Sequence, residues 1–228
     1  MSQDSLFSQL DSFFKNHKLL TYKKRNIIPS TNDGPLSVFY IKSGYIRVYR
    51  ISEQGEELTL NILKPRDIFP LTYGISHKPN SYYLEALTSL EIWRAPQEVF
   101  VEYIKSDTQL YQELTNRIIV RFDGLLTRME YLVFSNAYTK VVSTLLVCAK
   151  RFGEERGNEV VIKVPLTHKD IATLIGITRE TTSLEMKRLE KQGYLGKSGR
   201  NIVLKNITQL ESEILTPIDG DSPISYSL

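Results

Sequence analysis

A single cysteine, Cys148, is all the thiol this chain of 228 residues contains. That excludes an internal disulfide, a thiolate metal cage and a four-cysteine iron–sulfur cluster. Histidine is nearly as scarce. His17, His77 and His168 fall in unrelated contexts and supply no clustered ligand set for metal-assisted catalysis. No apolar run approaches the roughly 18 residues of a membrane span. Met1 to Ser5 lack a basic region followed by an apolar stretch, so no secretory signal is expected and the cytoplasm is the expected location. Gly-rich phosphate loops and Gly-x-Ser-x-Gly elbows are missing, which removes two common enzyme signatures. So is any strong excess of one charge: 29 basic against 26 acidic residues leave a net charge of +3, too small to identify a nucleic-acid partner by itself. Repeats and low-complexity blocks are absent too. At 41% apolar and 24% charged residues, the composition is that of a globular protein with one large or two small domains.

What is present is concentrated in residues 166–193. Ile171, Leu174 and Ile175 give a short helix an apolar face, with the small Ala172 where two helices meet closely. Gly176 stands at the following turn, where a positive φ favours glycine. Thr178 is a good N-cap, so a second helix, 179–192, begins near Arg179. Thr182, Met186 and Leu189 are its expected buried side, leaving Arg179, Glu180 and Ser183 on the open side of the first turns. In a helix-turn-helix those turns enter the DNA major groove. The bland alternative is an ordinary helical hairpin. From Lys187 to Lys205 six basic residues (Lys187, Arg188, Lys191, Lys197, Arg200, Lys205) face one acid, Glu190, a density suited to phosphate contact.

Elsewhere the pattern changes twice. Residues 1–20 read as an amphipathic helix with Leu6, Phe7, Leu10, Phe13 and Phe14 on one side. Residues 21–100 contain short alternating runs, bounded by Gly, Pro, Asn and Asp at about 8–12 residues, which predict a small antiparallel barrel or sandwich. Residues 107–135 lack proline and carry Tyr111, Leu114, Ile118, Phe122, Leu125, Met129 and Leu132 at a mean spacing of about 3.5, the coiled-coil period. A buried helix of a monomer would show the same stripe; a dimer seam is the favoured reading. Asn136 caps a further helix to about Phe152, where Cys148 belongs to the core. Gly153–Asn158 reads as a charged loop and Val160–Val164 as a strand. Tyr194-Leu195 and Asn201–Leu204 flank Gly196–Arg200 as a β-hairpin, the wing of a winged helix.

This order of elements resembles the Crp/Fnr family of bacterial transcription regulators over about residues 10–210. The resemblance is carried by Leu166-Thr167-His168-Lys169-Asp170-Ile171-Ala172 and Thr178-Arg179-Glu180-Thr181, and more weakly by Ile41–Tyr49 and Lys64–Phe69. It implies an α+β chain: an antiparallel β-roll effector domain (1–106), a long dimerisation helix (107–136), a winged helix-turn-helix (137–215) and a loose tail (216–228). By the same resemblance, Arg179, Glu180, Ser183 and Leu184 read bases, and Thr167, His168, Lys169, Thr178, Thr181, Ser198 and Arg200 hold phosphates. The implied partners are double-stranded DNA, a second copy of the chain and RNA polymerase, with no membrane. Leu184 departs from the arginine frequent at that position, so the operator should differ from those of better-known members.

No cofactor is expected, and the effector is unidentified. Cyclic-nucleotide members carry Gly-Glu and Arg-Ser pairs, whereas this chain has Ile68-Phe69-Pro70-Leu71 and Asn80-Ser81-Tyr82-Tyr83. Without that arginine a buried cyclic phosphate is poorly compensated, which argues against cyclic AMP. Leu125 and Leu126 also stand where those members place hydroxyls toward the base. His77 is a lone histidine, which argues against haem. Phe69, Tyr73, Tyr82 and Tyr83, with Trp93, either line an apolar effector pocket or form the roll's core. Two other functions stay open: a small β-barrel, cupin-like enzyme, and a dimeric sensor that no longer binds DNA.

Overall fold

The computed structural model describes residues 3–29, 36–70 and 82–214. Tyr73, His77 and the tail 216–228 lie outside these residues. The chain divides into two compact units, residues 1–119 and 120–228.

In the first unit, Leu6, Leu10 and Phe14 recur at four-residue spacing and are fully buried, which fixes the inner face of helix α1 (Gln3–Lys15). The expected helix stops there. Strand β1 (Lys18–Tyr22) follows, because Leu19 and Leu20 extend the apolar pattern but their backbone pairs with another strand. The remaining strands are β2 (Ser37–Ser43), β3 (Ile46–Ile51), β4 (Glu57–Leu63), β5 (Ile68–Phe69), β6 (Tyr83–Ala86) and β7 (Leu90–Pro96). They form two antiparallel sheets, ordered β1-β7-β2-β5 and β4-β3-β6. Period-two alternation sorts the core. Phe39 and Ile41 face Ile46, Leu63, Leu84 and Ala86 between the sheets, with the Phe39 and Phe69 rings stacked at 5.2 Å. Val38 and Tyr40 point the other way, onto α1 and onto helix α2 (Gln97–Ser106), which the sequence reading did not single out.

Helix α3 (Thr108–Phe134) contains the boundary between the units. In the second unit Asn136 caps α4 (Ala137–Phe152), its side chain accepting from the Thr139 N–H at 2.9 Å. Val141, Val142, Leu145 and Cys148 make its buried face. The expected charged loop is in part a strand, β8 (Gly153–Arg156), paired with β9 (Glu159–Ile162). All four β8 residues are exposed, so the strand has no apolar alternation to betray it. Next come α5 (His168–Ile175), α6 (Arg179–Lys191), β10 (Leu195–Ser198), β11 (Asn201–Lys205) and α7 (Ile207–Ile214), with a sheet ordered β10-β11-β9-β8. Leu210 and Ile214 bury α7, and the hydroxyls of Tyr138 and Tyr194 each donate to Glu213 at 2.5 Å. Their donation holds the Glu213 carboxyl below its ordinary range.

Candidate nucleic-acid interface

The helix-turn-helix is built from its caps inward. Thr167 and Asp170 form a capping box at the start of α5: the Asp170 N–H donates to Thr167 Oγ1 at 3.2 Å, and the Thr167 N–H to Asp170 Oδ2 at 2.7 Å. Ile171, Ala172, Leu174 and Ile175 are buried. Gly176 ends the helix at φ 65°, a left-handed conformation that glycine adopts without steric cost, and its N–H donates to the Ala172 carbonyl. Thr178 then caps α6, accepting from the Thr181 N–H at 3.1 Å. Thr182, Met186 and Leu189 turn inward, each at most 3% exposed. Burial of side chains the size of Met186 and Leu189 is worth roughly 1.5–3 kcal/mol apiece, enough to fix which face of α6 looks outward.

The outward face carries the residues expected to read bases. Arg179, Glu180 and Leu184 are exposed, and Ser183 is half-buried. Ser183 is already engaged: its Oγ lies 2.9 Å from His168 Nδ1. Of the expected phosphate contacts, Lys169, Ser198 and Arg200 are exposed. Ser198 ends β10, and Arg200 stands in the two-residue wing turn with Gly199, which takes φ 61°. Thr167 and Thr178 spend their hydroxyls locally. Thr167 donates to Asp170 at 2.6 Å, while Thr178 Oγ1 sits 2.9 Å from Thr181 Oγ1. Both threonines are therefore helix caps first, a role the sequence reading gave only to Thr178. Within the basic run, Lys197 pairs with Glu190 at 3.3 Å and Lys205 with Glu159 at 3.0 Å, and Arg188 lies over the Tyr138 ring. Lys187, Lys191 and Arg200 stay exposed. Burial, reinforced by Lys197, Arg179 and Lys187, pushes the His168 imidazole below its ordinary range, with Glu190 opposing.

Two helix N-termini, an exposed Arg–Glu pair and exposed lysines suit a polyanion whose grooves present hydrogen-bonding edges. Among the described residues no group of three or more His, Cys, Asp or Glu could hold a metal ion. Among them, too, no helix is long and apolar enough to cross a membrane.

The expected seam on α3 needs one correction. Leu114 is only 6% exposed, because it packs with Leu110 into the core under α1 and α2. It is not available to a partner. Tyr111, Ile118, Phe122, Leu125 and Met129 are exposed, and Leu132 is half-buried. Ile119, Leu126 and Val133 are exposed as well, at seven-residue spacing, and widen the apolar stripe. That heptad is visible in the sequence as a second apolar row beside the first. Arg128 donates to the Leu174 carbonyl at 2.6 Å, satisfying the C-terminal end of α5.

The aromatic pocket is corrected too. Phe69 belongs to the core between the sheets, and Trp93 to the layer under the helices, 5.9 Å from Tyr40. Tyr83 stacks on Tyr49 and Tyr82 lies beside Arg50, both largely exposed. These side chains sit in different layers and do not line one pocket.

A family model described as the Crp-like helix-turn-helix domain matches residues 139–213, and another, the cyclic nucleotide-binding domain, matches residues 19–107. The chain is 22% identical over 173 residues to a CRP-like cAMP-activated global transcriptional regulator of Mycobacterium tuberculosis, covering 76% of this chain and 77% of that one. It is 25% identical over 211 residues to a global nitrogen regulator of a Synechocystis species, covering 92% and 94%. In fold it is similar to a variant of CooA from Carboxydothermus hydrogenoformans, with a TM-score of 0.73 at 24% identity over 89% of this chain and 90% of that one. The two family models together span more than two thirds of the sequence, one before α3 and one after it, and the chain belongs to the Crp/Fnr family of DNA-binding transcription regulators.

Proposed function

We propose that two copies of the chain join along α3 and read a two-fold symmetric operator through paired α6 helices. The observation that carries this is the division of α6 into a buried side (Thr182, Met186, Leu189) and an exposed start bearing Arg179 and Glu180. Arg179 suits guanine O6 and N7, and Glu180 accepts from cytosine N4. Lys169, Ser198 and Arg200 hold phosphates, joined by His168, Thr178 and Thr181. Leu184, 67% exposed, touches a thymine methyl or sugar rather than a second guanine. Ile118, Phe122, Leu125 and Met129 form the centre of the seam. The complex acts beside RNA polymerase in the cytoplasm.

Cyclic AMP is not its effector. The relative from Mycobacterium tuberculosis is named as cAMP-activated; here Phe39 and Phe69, stacked at 5.2 Å, belong to the buried cluster between the sheets. Neither Ile68–Leu71 nor Asn80–Tyr83 holds the residues for a cyclic phosphate. Family membership supports neither a cupin-like enzyme nor a sensor without DNA. The test is a mobility shift on genomic fragments against excess non-specific DNA. A few fragments should be retained selectively, with affinity falling steeply in salt, and no gain on adding cyclic AMP. Uniform affinity for all fragments would refute sequence-specific reading.

A further inference from the structure

Ser183 and His168 face each other across the helix pair, Oγ to Nδ1 at 2.9 Å, and both are half-buried. A hydroxyl has one proton and two lone pairs, so what Ser183 offers outward depends on what the imidazole takes. When the neutral imidazole carries its proton on Nε2, Nδ1 accepts, the serine proton is spent inward and lone pairs face the groove. When the imidazole is protonated on both nitrogens, Nδ1 must donate, and the serine proton is released to point outward.

Those two states select different bases. Outward lone pairs alone match the amino groups of cytosine N4 and adenine N6, whereas an outward proton also matches guanine O6 and N7, thymine O4 and adenine N7, so cytosine and the guanine–thymine pair are told apart. We propose that His168 is a positioning residue for specificity: it sets the hydrogen-bond polarity of Ser183, and a solvent proton on the imidazole adds an outward donor that shifts the base preference at the position Ser183 reads. The inference rests on α6 being the reading helix.

The surroundings make this proton easy to move. Lys197 on β10, with Arg179, Lys187 and Glu190 on α6, faces the imidazole, and Lys169 and Asp170 flank it on α5. In the free protein burial and the three cations favour the neutral form. A DNA phosphate at the start of α5 opposes those cations and favours the imidazolium. Binding therefore strengthens the imidazole's hold on the proton.

The experiment is binding-site selection from a random duplex pool with the full chain, at about pH 6 and about pH 8.5, on either side of the ordinary histidine range. Wild type, Ser183→Ala and His168→Gln are compared, and melting at each pH confirms that each is folded. In wild type the base that Ser183 reads should move from cytosine at high pH toward guanine or thymine at low pH, with adenine accepted at both. The shift should be about fivefold, the worth of one hydrogen bond. Both variants should give a preference that does not change with pH, and if His168→Gln fails to fold, Ser183→Ala decides alone. A wild-type preference unchanged by pH overturns the proposal, as does a shift that persists in Ser183→Ala. The guanine assigned to Arg179 is the internal control. Its absence at both pH values would refute the reading by α6 itself, whereas its presence with no pH shift refutes only the role of His168.

Discussion

Two apolar residues eight positions apart on α3 should respond to truncation in opposite ways. Phe122 is 60% exposed in the isolated chain and Leu114 is 6% exposed. An aromatic side chain offers about 150–250 Å², so Phe122 has about 100 Å² of ring to give to a partner. At about 25 cal/mol per Å² that is about 2.5 kcal/mol per copy, and a two-fold seam holds the residue twice, about 5 kcal/mol in all. Each 1.4 kcal/mol is tenfold, so Phe122→Ala should raise the dimer dissociation constant on the order of a thousandfold. Leu114→Ala instead opens a cavity in the core that Leu110, Phe100 and Ile104 share, at about 2–5 kcal/mol of folding stability. Sedimentation equilibrium reads the first effect and denaturant unfolding of the monomer reads the second. The reasoning fails if Phe122→Ala changes dimerisation less than tenfold, or if it destabilises the isolated monomer as much as Leu114→Ala does.

Three other outcomes are expected. Lys169→Ala should weaken all DNA sequences alike and reduce the slope of log affinity against log salt by about 0.9 per copy; an unchanged slope would remove Lys169 from the phosphate contacts. Burial pushes the Cys148 thiol up to about 12, so thiol reagents at neutral pH should leave the folded protein unmodified and react only in denaturant. Rapid native labelling would show that α4 does not bury it. Arg128→Ala should leave the Leu174 carbonyl exposed to a dry neighbourhood and cost about 1–3 kcal/mol in unfolding measurements on the full chain, with Arg128→Lys recovering part; equal stability of all three would show the contact to be idle.

The helix-turn-helix was legible because its signals are local. Gly176, the Thr178 cap and the inward row Thr182, Met186, Leu189 lie within about four turns of chain and agree with one another. The Thr167–Asp170 capping box is equally local and was read only as a family motif. What stayed hidden depends on distant partners. Lys18–Tyr22 continues the α1 pattern until it meets β7, where register pairs Leu19 with Trp93. Gly153–Arg156 is an exposed edge strand visible only through β9. The stripe on α3 gives a period but cannot say where the core stops using it, which is why Leu114 seemed to belong with Ile118 and Phe122. Period-two alternation likewise places an aromatic on a face without saying which layer covers that face, so Phe69 and Trp93 looked like neighbours of Tyr82 and Tyr83. The engagement of Ser183 by His168 needs the fold, since fifteen residues separate the two.

The central claim is that α6 reads base sequence, and binding-site selection with wild type and Arg179→Ala tests it most directly. Wild type should yield an inverted repeat with half-sites about one helical turn apart and a G·C pair at a fixed place in each. Arg179→Ala should lose about 1–3 kcal/mol per half-site and accept any base at that one place, with the other positions retained. Full affinity and an unchanged selected motif in Arg179→Ala would contradict the account.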